Sequence, residues 1–495
     1  MFTDATSNEI NQVMEAAQQA FNHYRQIPLL KRAQLMRAVA DGLENAGDTL
    51  IQTAMTETHL PEARLRAERG RTVMQLRQYA DACVDGSWMQ ISIDTAVPDK
   101  TPPKPDIRKM MVPLGPVVVF GASNFPFAYS TAGGDTASAL AAGCTVVVKA
   151  HPAHAATSEM VASIIAEAVR HLELPTGIFS HVHGRSFEVG QQLVMHPHTA
   201  AVGFTGSFAG GKQLFDWANQ RGKPIPVFAE MGSVNPVYLL PGHLKESAAA
   251  TAASYAASVT LGVGQFCTNP GLIIGIESDG LNQFLHHLGI QIQQTTPAAM
   301  LHQGIASAYK VHKANALLQE GVHVVAEAGV PAEAADLLGN AAIATVDAQT
   351  FLKNPLLHQE VFGPFSLVVR CKDAAEMQLV AAQMEGQLTS TIMATEEDLA
   401  AFTGLVQTVA QSCGRMVLNG VPTGVEVCLS MHHGGPFPAS TDARFSSVGA
   451  DALLRFARPL CYQNWPDNQL PAELQNENPL HLWRRVNGTW SLAAL

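Results

Sequence analysis

Between Val117 and Leu240, short β-branched runs alternate with helices built from small residues, and this alternation restricts the chain to one class of architecture. Val117–Phe120, Thr145–Lys149, Thr199–Phe204 and Val237–Leu240 read as strands; Asp135–Ala142, Thr157–His171 and Ala209–Gln220 read as helices. The strands are apolar along almost their whole length, so both of their faces must be covered. Strands of that kind joined through helices form a parallel, doubly wound α/β sheet. Upstream, the first ~85 residues read as helical, with Leu35, Val39 and Leu43 recurring along one face. Between Ile91 and Met111, short alternating segments surround the Pro-rich stretch Val97–Pro105, which predicts an extended excursion or hairpin. A second α/β region runs from a Ser247–Thr260 helix to about Phe456, and the tail ends in a strand-like Gly488–Leu492. A chain of 495 residues exceeds what one core holds, so two or three domains are expected.

Composition removes several classes of function. The net charge is −11 and no basic block stands out, which argues against a nucleic-acid partner. No apolar run reaches the ~20 residues of a membrane helix, and the N-terminus lacks the charged and apolar regions of a signal peptide. The seven cysteines are scattered and show no CxxC spacing, as expected of reduced thiols in a cytoplasm. Among 19 histidines, the pairs His151/His154 and His181/His183 have no evident set of partner ligands, so no metal is expected.

Two segments carry chemistry. Cys267 lies in Leu261-Gly-Val-Gly-Gln-Phe-Cys-Thr-Asn-Pro270, a thiol among glycines after a small-residue helix. Glu230 lies in Phe228-Ala-Glu-Met-Gly-Ser-Val-Asn-Pro236. A thiolate nucleophile and a carboxylate able to activate water are the groups needed to make and then hydrolyse a thioester. The strand-turn-helix at Val202–Lys212 offers backbone amides at a helix N-terminus, a cradle for phosphate. Gly206, Gly211 and Lys212 come close to a P-loop, but Gln213 stands where a nucleotide hydrolase needs Ser or Thr for magnesium. A strict GxGxxG fingerprint is absent, which disfavours an ordinary Rossmann dehydrogenase.

Six collinear segments together resemble the aldehyde dehydrogenase superfamily: Gly121-Ala-Ser-Asn-Phe-Pro126, Val147-Val-Lys149, Phe204-Thr-Gly-Ser207, Glu230–Pro236, Gly264-Gln-Phe-Cys267 and Gln359-Glu-Val-Phe-Gly-Pro364. The resemblance implies that Cys267 attacks an aldehyde, that the Asn124 amide and the Cys267 N–H hold the oxyanion, and that Glu230 activates the hydrolytic water. It implies cofactor contacts from Lys149 at the adenosine ribose, Gly206 and Ser207 at the pyrophosphate, and Glu360 and Phe362 around the nicotinamide ribose. The implied fold has two doubly wound α/β domains plus a small β bridging element that pairs subunits. On that pattern, residues 1–91 and 112–230 bind the cofactor, 231–459 carry the catalysis, and 92–111 with 460–495 bridge. A homodimer or homotetramer is expected.

Departures from the family pattern sharpen the expectation. NAD-preferring members often carry a Glu three residues after the strand-end Lys, whereas here the run is Lys149-Ala-His-Pro-Ala-His154. A carboxylate there would repel a 2′-phosphate; its absence, with Lys149 and His151 nearby, favours NADP, with NAD as the alternative. His432-His-Gly-Gly-Pro-Phe-Pro-Ala-Ser440 replaces the usual Pro-Phe-Gly-Gly segment, and the tail Trp465–Leu495 carries Leu470-Pro-Ala-Glu-Leu-Gln-Asn-Glu-Asn-Pro479. These resemble the NADP-dependent α-ketoglutaric semialdehyde (2,5-dioxovalerate) dehydrogenase branch, related to bacterial fatty aldehyde dehydrogenases. In that branch His432 or His433 could assist the thiol. The expected reaction is oxidation of α-ketoglutaric semialdehyde to 2-oxoglutarate, with Arg444 or Arg455 as candidates for the substrate carboxylate. The alternatives are a fatty or broad-specificity aldehyde dehydrogenase and a catalytically silent relative. Glu230 disfavours a CoA-using acyl transferase.

Overall fold

The computed structural model describes residues 2–329 and 336–495. Its first sheet has five parallel strands in the order Phe179–Val182, Val146–Lys149, Val117–Phe120, Ala201–Thr205, Val227–Glu230. All four residues of Val117–Phe120 are buried, as both-face coverage demands. Phe179–Val182, Val227–Glu230 and the Phe187–Met195 helix are absent from the sequence reading, because polar Ser180, His181 and Glu230 interrupt the apolar runs. The strand order reverses between Val117–Phe120 and Ala201–Thr205, and ligands of doubly wound sheets bind at the carboxyl ends of strands at such a reversal. Asn124 and Ser207 lie just beyond these two strand ends.

The second sheet has seven strands in the order His323–Glu327, Ala342–Asp347, Phe365–Cys371, Leu272–Ile276, Val237–Leu239, Gln387–Met393, Cys413–Leu418. His323–Glu327 runs antiparallel to its neighbour; the other pairs are parallel. The small-residue helix covering this sheet begins at Pro241, earlier than expected, and kinks at Ser247. Alanines and Tyr255 from that helix pack with Leu281, Phe284 and Leu288 in one apolar cluster.

The excursion after Ile91 is a hairpin: Ser92–Asp94 pairs antiparallel with Ile107–Pro113. Ala457–Gln463, Arg484–Val486 and Thr489–Ser491 complete a third, five-stranded sheet. Long N-terminal helices, including Leu29–Asn45 and Glu62–Asp85, pack with the first sheet in the largest apolar cluster. Among the described residues no helix is long and apolar enough to cross a membrane.

Candidate active site

The loop that carries Cys267 is forced into shape by its backbone. After the Pro241–Thr260 helix, Gly262, Val263 and Gly264 all take positive φ, at 55°, 58° and 65°. Glycine adopts this region freely, but for β-branched Val263 it costs about 1–3 kcal/mol, so packing must hold it there. A Cβ on Gly264 would run into the backbone of Gly363 and Pro364, which fastens the thiol loop to the loop that follows Glu360. The Asn235 amide nitrogen reaches three carbonyls, Ser233 (3.1 Å), Cys267 (2.9 Å) and Asn269 (2.9 Å), and so fixes the nucleophile's backbone. Asn235 in turn takes part in a buried network with Ser233 and Gln387.

Glu230 ends the edge strand of the first sheet, and the segment 433–447 is stitched against it. Met231 N–H donates to the Ala439 carbonyl (2.8 Å), Thr441 N–H donates to that of Ala229 (3.0 Å), and Glu230 forms a bridge with Ser440. This stitching carries His433 and Ser447 to the carboxylate. Ser447 Oγ–H donates to Glu230 Oε2 (2.6 Å). His433 Nε2 lies 3.0 Å from Glu230 Oε1 and 3.6 Å from Cys267 Sγ. The aligned contact is the one to sulfur; Glu230 Oε1 is buried without an aligned donor. One imidazole nitrogen therefore faces both the thiol and the carboxylate. Side-chain exposures of 1% for His433 and 4% for Glu230 keep the triangle almost dry.

The electrostatics follow from this packing. Burial alone would raise the Glu230 carboxyl, but the His433 imidazole and the Ser447 hydroxyl outweigh it and hold the group below its ordinary value of 4.5. Burial and then the Glu230 charge push the Cys267 thiol well above its ordinary 9.0, against the pull of the Arg71 guanidinium. His432 does not share this geometry; it packs against Gly414 and Gly434 and is kept neutral first by burial and then by its neighbour His433.

Asn124 is buried against the thiol loop. Its Nδ2 donates to the Gln265 carbonyl (3.2 Å), two residues before the thiol, and its own carbonyl accepts from Arg64 (2.8 Å). Glu68 Oε1 accepts from Phe127 N–H (2.8 Å) and Ala128 N–H (3.0 Å), pinning the rest of the loop.

The expected cofactor contacts spread from the strand reversal toward the thiol. Ser207 caps the Phe208–Gln220 helix, accepting from Gly210 N–H (3.2 Å), and the turn at Gly206 and Ser207 is exposed, as a phosphate cradle must be. Lys149 ends its strand with no acid within 4.0 Å among the described residues, and burial lowers its pKa. His151 spends Nδ1 on Ala153 N–H (3.1 Å), and burial keeps it neutral, so the positive charge at this end comes from Lys149. Glu360 lies against Gly232, leaving no room for a Cβ there, and burial pushes its carboxyl up to about 8. Phe362 follows, half-buried, immediately before Gly363. A dinucleotide fits this set: an open helix N-terminus, an unpaired lysine and a strand reversal lie at one end, and a carboxyl beside the thiol at the other.

Several residues escape the sequence reading. Ser447, Asn235, Gln387, Tyr129, Arg64 and Arg71 reach the site only through the fold. Neither Arg444 nor Arg455 brings a free charge to it: Arg444 is exposed and pairs with Asp442 (2.6 Å), and Arg455 is buried against Asp135 (2.7 Å). Among the described residues, two clusters hold three potential metal-binding groups within 4.8 Å, Glu230–Cys267–His433 and Glu159–His181–His183. Glu159 is the partner that the His181/His183 pair lacks in the linear sequence.

Residues 1–440 match the family model described as the aldehyde dehydrogenase family. The chain is 47% identical over 489 residues to alpha-ketoglutaric semialdehyde dehydrogenase 2 of Azospirillum brasilense, covering 99% of this chain and 93% of that one. It is 44% identical over 492 residues to alpha-ketoglutaric semialdehyde dehydrogenase of Acinetobacter baylyi, covering 99% and 92%. The fold superposes on methylmalonate-semialdehyde dehydrogenase of Oceanimonas doudoroffii with a TM-score of 0.78 at 19% identity, covering 94% of this chain and 92% of that chain.

Proposed function

The chain belongs to the aldehyde dehydrogenase family, whose members oxidise aldehydes with NAD(P), and from that premise we propose that it converts α-ketoglutaric semialdehyde to 2-oxoglutarate with NADP. The observation that carries the chemistry is the convergence of Cys267, His433 and Glu230 around one imidazole nitrogen. Near-full-length likeness to two chains named for this substrate supports the choice of aldehyde.

In the proposed sequence, His433 takes the thiol proton as Cys267 Sγ bonds to the aldehyde carbon. The Asn124 amide and the Cys267 N–H receive the charge that gathers on the aldehyde oxygen; a donor of this kind is worth about 10²–10³ in kcat. Lys149, Gly206, Ser207, Glu360 and Phe362 would hold a dinucleotide, which would accept the hydride from the substrate carbon; loss of the oxygen's proton as well leaves a thioester on Cys267. Glu230, ionised below its ordinary value, then takes a proton from the water that cleaves the thioester. The thiol leaves as thiolate and is reprotonated through His433. Ser447 and the dry surroundings keep the Glu230 carboxylate ready for that single step.

The NADP assignment rests on the missing carboxylate after Lys149. Asp4, whose charge reaches Lys149, has both oxygens engaged by the N–H groups of Arg185 (2.7 Å) and Ser186 (3.0 Å). Measuring kcat/KM for NADP and NAD tests it: a strong NAD preference overturns the assignment. NADPH formation from α-ketoglutaric semialdehyde, abolished in Cys267→Ala, tests the reaction itself.

We assign residues 1–91 and 112–230 to cofactor binding, 231–459 to catalysis and 92–111 with 460–495 to bridging; Met1 and 330–335 lie outside the described residues. The third sheet ends in an outer strand near exposed Trp483 and Trp490, which supports subunit pairing there. All seven cysteines are free thiols, which supports a cytoplasmic setting.

A further inference from the structure

Resting on the semialdehyde reading above, we infer that Arg71 and Arg415 form the seat for the substrate's terminal carboxylate and so select ω-oxo acids over neutral aldehydes. The helix Glu62–Asp85 carries several arginines that the linear sequence does not distinguish. Arg66 and Arg77 turn outward and are spent on surface acids, Asp48 and Glu62 for one, Asp41 and Glu44 for the other. Arg71 turns inward. Its guanidinium lies over the Tyr129 ring, 5.4 Å from the centroid, and Nη2–H donates to the Tyr129 hydroxyl (3.3 Å). Its Nε is buried with no hydrogen-bond partner, and among the described residues no carboxylate stands within 4.0 Å of it.

Arg415 comes from the Cys413–Leu418 strand of the second sheet. It donates to the carbonyls of Gly424 (3.0 Å) and Pro422 (2.6 Å), neutral partners that leave its charge uncompensated, and its Nε is likewise buried and unpartnered. Both guanidinium charges act on the same two groups, the Tyr129 hydroxyl and the Cys267 thiol. One cation from a helix and one from a strand of the second sheet thus act on the same thiol and hydroxyl.

Among the described residues no acid forms an ion pair with either of them. Glu68, one turn before Arg71, gives Oε1 to the Phe127 and Ala128 N–H groups and leaves Oε2 without a hydrogen bond; its charge acts on Arg64 first and only weakly on Arg71, with which it forms no ion pair within 4.0 Å among the described residues. Glu230 is held by Ser447 and His433. Half-buried cations without acid partners are costly unless a bound anion offsets them. A guanidinium fork suits a carboxylate, which it can hold through two parallel bonds. The walls between are aromatic: Phe125 packs edge-on to Tyr129 (5.2 Å) and to Phe266 (5.6 Å), which fits a short carbon chain between the aldehyde and its anionic end.

The test compares kcat/KM for succinate semialdehyde with that for butanal, a neutral aldehyde of equal length, in wild type, Arg71→Met, Arg415→Met and Arg71→Lys. The expected result is a fall of about 10–100-fold in the acid-to-neutral ratio for each Met variant, carried mainly by KM. Inhibition by glutarate weakens in parallel, and Arg71→Lys recovers part of the ratio. An unchanged ratio in both Met variants, even with lower overall activity, overturns the assignment, because a structural or thiol-activating role would affect both substrates alike. A wild-type ratio near one overturns the semialdehyde reading itself, a result distinct from the failure of the two arginines.

Discussion

Ser447 Oγ–H donates to Glu230 Oε2 over 2.6 Å, in a pocket where the carboxylate is almost fully buried. This bond and the His433 imidazole hold Glu230 ionised against burial, which acts in the other direction. Ser447→Ala removes one of the two supports, so the Glu230 pKa rises. The acid limb of the kcat–pH profile then moves to higher pH by about 1–2 units, the equivalent of one hydrogen bond to a charged group. Ser447→Thr keeps the hydroxyl and leaves the limb in place. A limb that does not move in the alanine variant would show that the bond does not govern hydrolysis.

The thiol has the opposite bias. Cys267 titrates above 9.0 through burial and the Glu230 charge, so without cofactor its alkylation by iodoacetamide is slow at neutral pH and still climbing past pH 9. Glu230→Gln removes the second of those causes. It therefore speeds alkylation at pH 8 while lowering kcat by about 10²-fold or more. A variant slowed in both assays would contradict the division of labour between the two residues.

His433→Gln takes away the nitrogen that faces both groups. The expected loss in kcat/KM at pH 7.5 is about 10²-fold, the lower range for general acid–base catalysis. The same substitution at His432 costs little, because that ring packs against Gly414 and Gly434 rather than the thiol. Steady-state kinetics on the two single variants distinguish them.

Backbone geometry supplies a stability prediction. Gly264→Ala places a methyl group against the Gly363 carbonyl at φ 65°, a conformation unfavourable for alanine, and costs about 3 kcal/mol or more. Asn235→Ala leaves the Ser233, Cys267 and Asn269 carbonyls without their shared donor and costs about 2–3 kcal/mol. Urea unfolding midpoints read both, with unchanged midpoints as the contrary result.

The chemistry-bearing segments are legible in the sequence because each requires unusual residues close together: Gly264-Gln-Phe-Cys267 for a left-handed turn before a nucleophile, Glu230 at the end of an apolar strand. Val117–Phe120 and Val146–Lys149 are equally plain, since buried parallel strands tolerate few polar residues. Other contributors are hidden for physical reasons. Phe179–Val182 is an edge strand of its sheet and carries Ser180 and His181, so its apolar signal is broken. Arg64 and Arg71 share a helix with Arg66 and Arg77, and only the packing of that helix separates inward charges from solvated ones. Glu68, Thr72, Gln75 and Tyr79, polar residues at helical spacing, are all buried, and that polar stripe is the one sequence signal that could have revealed an inward face. Ser447 carries no local signature at all; its role exists only because the 433–447 segment returns to the edge strand.

That return has a consequence for how the enzyme comes into being. Glu230 and Ser447 are 217 positions apart, and Cys267 and His433 are 166 apart. A chain emerging from the ribosome therefore presents the sulfur and the first carboxyl long before the imidazole and hydroxyl that tune them. Until residue 447 has been synthesised and stitched beside Val227–Glu230, Cys267 is an untuned thiol in a partly built protein. Fragments ending before His433 hold Cys267 and Glu230 without the imidazole and the hydroxyl that flank them in the folded chain.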